Sequence, residues 1–389
     1  MNIPAIQAAL RDANLDAWLF YDHHHRDPLA YSILSLDPAM HVTRRWFYLV
    51  PATGEPGKLV HRIESTRLDT LPGTRAEYSS WQELDAALEA MLAPHTRIAM
   101  QYSPRNAIMY VSMVDAGTIE RIRDMGKEIV SSADLVSQFE AVLTDDQIAT
   151  HYVAQEKVDR ILAEAWKHMG QLARTTGTDE FAMVNWISEA FRREGLVWEY
   201  GPNVSCAANS ADSHYEPTQE NSRPIRRGDF VLIDLWAKLP QPGAVYYDIT
   251  WTGVVDREPT QREQTIFTTV RAARDAAIAA VQAAYAAHIP IAGYQADDAA
   301  RAVIGDAGYA EWFTHRTGHN IGPEIHGAGA HLDNLETHDV RLLHPNTCFS
   351  VEPGIYFPGE FGVRSEINMI TQPTGATVTG RIQTELVRI

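Results

Sequence analysis

A chain of 389 residues with 45% hydrophobic and 21% charged positions has the composition of a soluble globular protein, not of a disordered or collagen-like one. Its formal net charge of −17 repels phosphate backbones and anionic lipid, so neither nucleic acid nor a membrane is expected as a partner. The two cysteines, Cys206 and Cys348, form no CxxC pair, which argues against a disulfide scaffold or thiolate zinc and for reducing, cytoplasmic surroundings.

The first segment, MNIPAIQAALRDANLDAWLF, has an amphipathic pattern over Ile3–Ala13 and no basic stretch leading into an apolar one, so no secretory leader is expected. Strand-like runs follow at Ala17–Tyr21, Trp46–Val50, Lys58–Arg62, Arg97–Gln101 and Glu128–Val130, interleaved with helical patterns at Trp81–Leu92 and Ala116–Met125. Strands alternating with helices predict an α/β layer domain. His23, His24 and His25 stand before a turn expected at Pro28; neighbours on a strand point to opposite sides, so this triplet reads as a loop with at most a substrate contact. Thr144 and Gln147 match a capping box and open a long helical pattern to about Leu172, so a domain boundary is expected here, dividing 1–143 from 144–389. A second helix is expected over about Asp179–Glu194. Beyond it, strand-like segments and loops are broken by one Ala-rich helix, about Gln261–Ala287, again opened by a capping-box match at Thr260 and Glu263. No run approaches the ~18 apolar residues of a membrane span.

The second region places carboxylates where a strand should be apolar. FVLIDLWAKL carries Asp234 at its centre, and after a Pro/Gly loop VYYDITWTG carries Asp248. Period-two alternation puts Asp234 on one face of its strand, and Asp248, Thr250 and Thr252 together on one face of the partner. The pattern recurs in CFSVEPGIYFPGEFGVRSEINMI, where Glu352 and Glu366 are expected in two consecutive strands, with Arg364, Glu366 and Asn368 on one face. Between the hairpins HRTGHNIGPEIHG supplies His315, His319 and His326. A lone Asp in a strand is commonly salt-bridged, but an uncompensated buried carboxylate costs several kcal/mol even after relaxation. Four of them need more cations than three histidines and Arg364 provide. Two Asp, two Glu and one His match a dinuclear ligand count, and hard oxygens with one imidazole suit Mn, Co or Zn better than copper.

The ordered set Asp234, Asp248 in DITWT, His319 in HRTGHNIG, Glu352 in VEPGIY and Glu366 in GVRSEI resembles the pita-bread metallopeptidases, which include Xaa-Pro aminopeptidase, prolidase and methionine aminopeptidase, with metal-free creatinase as a relative. The resemblance covers roughly 145–389, and the preceding α/β region is similar to that of the Xaa-Pro enzymes and creatinase. It implies an α+β chain: a catalytic pita-bread domain after a smaller creatinase-like domain. It implies two divalent ions, manganese first and cobalt or zinc as alternatives. Asp234 would chelate one and His319 the other, with Asp248 and Glu366 bridging and Glu352 binding the His319 ion while handling the proton. His214 and His326 match catalytic histidines of the family, and His315 and Arg364 match substrate-binding positions. The implied reaction is attack of a metal-bridging hydroxide on the bond between an N-terminal residue and proline in a small peptide, as in an Xaa-Pro aminopeptidase or dipeptidase. The oxyanion would be steadied by an imidazole and the leaving nitrogen protonated by a carboxylate. A homodimer is expected by the same resemblance. The alternative is a hydrolase or lyase of the same fold acting on a non-peptide small molecule, a creatinase-like C–N hydrolase. Trp251, Asn320 and Gly327 depart from the family's usual residues without removing a ligand, so they bear on specificity.

Overall fold

The computed structural model describes residues 2–389, which divide into two compact units, 2–140 and Ala141–Ile389. In the first unit, helix α1 (Ile3–Asp12) is capped by Asn2, whose side chain accepts from the Ala5 N–H. Strand β1 (Ala17–Asp22) is buried along its whole length because it lies inside a six-stranded sheet. It leads to α2 (Pro28–Leu34), β2 (Trp46–Pro51), β3 (Gly57–His61), β4 (Thr74–Tyr78), α3 (Trp81–Leu92), β5 (Arg97–Met100), α4 (Ala116–Asp124), β6 (Glu128–Ser131) and α5 (Ala133–Glu140). The sheet order is β4-β3-β2-β1-β5-β6, with β2 antiparallel to both neighbours and the other pairs parallel. Leu84, Leu88 and Leu92 of α3 and Ile119 and Ile122 of α4 fall at helical spacing and close over one face of the sheet. The turn expected at Pro28 is a helix: proline has no N–H to lose in a first turn, and Asp27 caps it by accepting from Ala30. The histidine triplet is a bend in which His24 and His25 have positive φ, 61° and 55°.

The second unit opens with α6 (Asp145–Arg174), whose Thr144–Gln147 capping box is formed in both directions. A short pair, β7 (Thr178–Asp179) and β9 (Pro224–Ile225), brackets α7 (Glu180–Arg193) and β8 (Asn203–Cys206). The long antiparallel pair β10 (Phe230–Ala237) and β11 (Tyr247–Val254) follows, then α8 (Gln261–Ala286) and α9 (Gly293–Asp306). One Ala-rich helix was the expectation over this stretch, and there are two. The buried face of α9 has one large apolar side chain, Ile304, with the small Gly293, Ala296 and Ala300 and the buried Asp297, so its apolar periodicity is faint. The chain ends with β12 (Asn320–Ile321), β13 (Cys348–Val351), β14 (Gly354–Phe357), β15 (Phe361–Arg364), β16 (Ile367–Gln372), β17 (Gly375–Thr379) and β18 (Val387–Arg388).

Two four-stranded sheets, β18-β11-β10-β8 and β12-β13-β16-β17, form the centre of this unit. Buried residues of α6 and α7 pack with β8, β10 and β11, while those of α8 and α9 pack with β13–β16. Each sheet thus has its own helical cover, which is the mixed α+β pita-bread arrangement. Among the described residues no helix is long and apolar enough to cross a membrane.

Candidate metal centre

Asp234 pairs in register with Thr250, and Trp236 with Asp248, so the two aspartates sit diagonally on one face of the β10–β11 ladder. Asp248 is held in place by its backbone, whose N–H donates to Asn368 Oδ1 on β16 at 3.0 Å. The second hairpin corrects the expectation from alternation: neither glutamate lies inside a strand. Glu352 falls between β13 and β14, and Glu366 between β15 and β16, at the bend where a long hairpin changes partners. Pro353 cannot donate to a ladder, so pairing breaks there. The freed backbones turn to other elements: Glu352 N–H donates to Thr317 O at 2.7 Å and Glu366 N–H to Thr250 O at 3.1 Å. That last bond ties the glutamate corner to β11, which is how carboxylates from two sheets meet.

His319 lies next to Gly318, whose Cα hydrogen is packed against the Ser350 carbonyl; a Cβ there would collide with it. His319 Nε2 is 3.5 Å from Asp248 Oδ2 and 3.4 Å from Glu352 Oε1. Asp248, His319 and Glu366 each offer one ligand atom, all within 4.8 Å of one another, and all three residues are buried. Asp234 stands at the other side of a shared hydroxyl: Thr250 Oγ1 is 3.0 Å from Asp234 Oδ1 and 2.7 Å from Glu366 Oε2. One hydroxyl proton serves one of these oxygens at a time. Arg364 donates from Nε to Thr250 Oγ1 at 3.0 Å, forms a close ion pair with Asp234, and lies 3.9 Å from Glu352 Oε2.

The electrostatics are those of a site short of positive charge. Burial pushes the Asp234 carboxyl up to about 7 against the pull of Arg364, with Asp248 and Glu352 adding to the rise. Burial likewise raises Asp248, against the hydrogen bond and charge of His319, and raises Glu366 far above the ordinary range with help from Asp248, Glu352 and Asp234. For Glu352 burial acts upward too, but His319, Arg364, His315 and Arg316 together outweigh it and hold the group below its usual value.

Of the four remaining predicted residues, Arg364 is in the cluster as described. His315 Nε2 is 2.8 Å from Tyr356 Oη and its Nδ1 2.7 Å from Arg316 O, so both ring nitrogens are engaged within the protein. Burial pushes its pKa down to about 4. The His326 ring stands edge-on to His319 with centroids 4.3 Å apart. It is accessible to solvent, and its pKa is displaced downward by the protein packed around it and then by His319 and Arg316, leaving a neutral imidazole. His214 is exposed on a turn whose N–H donates to Asp212, beside Ser213, whose carbonyl is 3.5 Å from Arg364. Sequence reading missed Ser350 and Tyr356. Ser350 Oγ accepts from the His319 N–H at 2.9 Å and donates to Glu352 at 3.0 Å. Its position two residues before a strand-end glutamate was the available signal. Thr250 and Asn368 had already fallen on the faces that carry Asp248 and Glu366.

The model of metallopeptidase family M24 matches residues 152–373, more than half of the chain and all five of the clustered residues. This chain belongs to metallopeptidase family M24. With membership comes the enzyme class, a peptidase and so a hydrolase. The chain is 29% identical over 245 residues to an Xaa-Pro dipeptidase of Lactobacillus delbrueckii subsp. lactis, covering 62% of this chain and 60% of that protein. It is 28% identical over 346 residues to a probable dipeptidase PepE of Mycobacterium tuberculosis, covering 87% of this chain and 84% of the relative. The crystal structure of dipeptidase PepE from Mycobacterium ulcerans superposes with a TM-score of 0.71 at 24% identity, over 99% of this chain and 96% of the other, which establishes the shared fold.

M24 membership implies divalent metal ions, and the residues fit them on independent grounds. Asp248 Oδ1 and Glu366 Oε1 are buried without a hydrogen-bond partner among the described residues. An unsatisfied buried carboxylate oxygen is costly, and a cation is what would satisfy it. The donor set, carboxylate oxygens with one imidazole, is the kind that hard to borderline divalent ions select.

Proposed function

We propose that the chain is a dinuclear metal-dependent peptidase that hydrolyses the bond between an N-terminal residue and proline, as an Xaa-Pro dipeptidase or aminopeptidase. The observation that carries this reading is the convergence of Asp234, Asp248, His319, Glu352 and Glu366, with one buried oxygen on each of Asp248 and Glu366 lacking a hydrogen-bond partner among the described residues. The relatives named as dipeptidases support the substrate class. Asp234 would hold one ion and His319 with Glu352 the other, Asp248 and Glu366 would serve both, and manganese is the first choice of metal. When bound, the ions supply an acidified water as nucleophile and polarise the scissile carbonyl.

The chain's own residues do the rest. Glu352, kept ionised by the cations around it, accepts a proton and returns it to the leaving nitrogen, as a positioned carboxylate can. Proline's nitrogen is tertiary in the substrate, so it must gain that proton before it departs. His326, neutral at pH 7, donates an N–H to the oxyanion developing on the substrate. His214, exposed on its turn, is assigned to substrate on the open side of the cluster. Arg364 holds Asp234 and Thr250 in place, and His315 acts through the Tyr356 hydroxyl that it fixes. A homodimer belongs to this reading on the family resemblance, and light scattering on the purified protein tests it.

The deciding experiment is hydrolysis of Ala-Pro and Ala-Pro-Ala with added manganese and then with chelator. Chelator-sensitive cleavage before proline is expected, and the preferred length separates dipeptidase from aminopeptidase. Absence of cleavage in protein carrying two ions per chain would reject the peptide substrate in favour of a non-peptide one.

A further inference from the structure

A cavity of about 650 Å³ lies wholly within the first unit. It sits where the carboxyl ends of β1, β3 and β4 meet the amino end of β2, with the first turns of α3 and α4 at its wall. In open α/β sheets the crevice beyond the carboxyl ends of parallel strands is a favoured place for ligands. Its lining is cationic in a protein whose net charge is −17.

Four arginines line it. Arg121 is paired with Asp85, but Arg26, Arg44 and Arg45 form no ion pair with any carboxylate among the described residues. The nearby acids are occupied by other donors. Asp115, the one carboxylate in the lining, caps α4 by accepting from the Thr118 N–H and hydroxyl, each at 2.9 Å. Glu64 accepts from the Thr43 and Arg44 backbones and lies 3.6 Å from Arg67, and Asp22 accepts from the His25, Arg26 and Asp27 N–H groups. The imidazole of His23 lies in this field: burial depresses its pKa, and His24, Arg26 and Arg45 depress it further against the pull of Asp22. Three like charges around one cavity repel one another unless an anion joins them.

The shape of the charge and the rim narrow the occupant. Three guanidinium groups without a carboxylate partner leave the lining rich in charged donors, which matches an anion with several oxygens. Guanidinium forks suit phosphate oxygens. Trp81 at the rim is 65% exposed, a large indole face left to solvent beside Tyr78 and the His61 ring that packs edge-on against it. We propose that this cavity is a binding site for a small organic phosphate monoester, with the phosphate on Arg26, Arg44 and Arg45 and a flat ring on Trp81.

Phenyl phosphate, inorganic phosphate and phenol titrated calorimetrically into the full-length, metal-loaded protein test this. Phenyl phosphate should bind more tightly than inorganic phosphate, and phenol not at all. Replacing both Arg44→Gln and Arg45→Gln should weaken phenyl phosphate by about 30-fold or more, since hydrogen bonds between charged groups are the strong ones. Trp81→Ala should weaken phenyl phosphate and leave inorganic phosphate unchanged. Amide exchange should slow at residues 43–46 and 115–118 on adding phenyl phosphate. No heat and no protection at about 5 mM, where even a millimolar site is mostly filled, would overturn the proposal. So would phenyl phosphate binding that is lost in Glu366→Gln but untouched in the double arginine variant, because the ligand would then sit at the metal centre.

Discussion

Two clusters of buried charge lie within the second unit, and they are built on opposite plans. Asp339 and Arg341 are fully buried, with Arg341 Nε donating to Oδ1 at 2.9 Å and an Nη to Oδ2 at 2.6 Å. The remaining valences are also used, by the His331 N–H on Asp339 and by Arg341 on the Ala328 carbonyl at 2.7 Å. Every charge there has its complement within the chain. Around Asp248 the chain gathers four carboxylates, offers Arg364 and His319 in return, and leaves one oxygen on each of Asp248 and Glu366 without a hydrogen-bond partner among the described residues. A closed pair holds a loop in place, whereas an open set stores a demand for positive charge that bound protons or metal ions can meet. The difference can be read from oxygen atoms one at a time, with no reference to fold.

Asp248→Asn or Glu366→Gln should bring the sharpest contrast. Each removes a ligand assigned to both ions, so metal per chain measured by plasma mass spectrometry and peptide turnover should both collapse, with the fold retained. Asp339→Asn should do the reverse, because it leaves Arg341 buried and uncompensated at a cost of about 3–5 kcal/mol. Its melting temperature should fall steeply, while the folded fraction still binds its metal. Unchanged metal content in the Asp248 and Glu366 variants would remove the distinction. Glu352→Gln comes next: kcat should drop by about 10²–10⁴, the range of a lost general acid–base, with stability nearly unaltered and one ion held less tightly.

How far the site was legible follows from the same contrast. Carboxylates at the centre of FVLIDLW and VYYDITW stand out because burial of a charge violates strand patterning, so Asp234 and Asp248 could be read directly. Alternation failed at Glu352 and Glu366 because Pro353 diverts the backbone, and bonds to Thr317 and Thr250 decide where those residues point. Such long-range backbone bonds leave no local trace. Helix α2 hid behind a proline that opens a helix as readily as a turn. The arginine-lined cavity was silent for a third reason: Arg26, Arg44 and Arg45 gather only through sheet order, and a short pair of arginines in sequence says nothing about missing acids.

The open cluster should also announce itself in the pH dependence of the metal-free protein. Asp234 is raised from 3.8 to about 7, and Asp248 and Glu366 are raised as well, burial leading in each case. A carboxyl whose folded pKa exceeds its unfolded one binds more protons in the fold. Its contribution is therefore full below about pH 4 and is lost as pH rises through the folded value. His151 runs the other way: burial lowers it to about 4, so its contribution falls as pH drops below 6.5. Comparing chelated with manganese-loaded protein cancels His151. The gap between their melting temperatures should widen from pH 6 to pH 8, because the ions take over the charge that protons neutralise at lower pH. A constant gap would mean that the carboxylates are compensated in some other way, as Asp339 is.

The smallest effect concerns Ser350, which joins the backbone of His319 to the side chain of Glu352 through one hydroxyl. Ser350→Ala removes two hydrogen bonds of ordinary strength, about 1 kcal/mol each, and leaves an N–H without its acceptor. The backbone link between β13 and the His319 segment does not depend on that hydroxyl, since Ser350 N–H still donates to the His319 carbonyl at 2.9 Å. Stability should fall modestly, while metal affinity on the His319 side falls by about 10-fold, the lower end of what supporting residues of metal sites deliver. The Asp234 side, tied instead through Thr250 and Arg364, should be unaffected. Titrating the two ions separately by calorimetry resolves this: one site weakened and the other unchanged is the outcome that a divided, chain-built ligand set requires, and equal weakening of both would show that the two halves of the cluster are held as one.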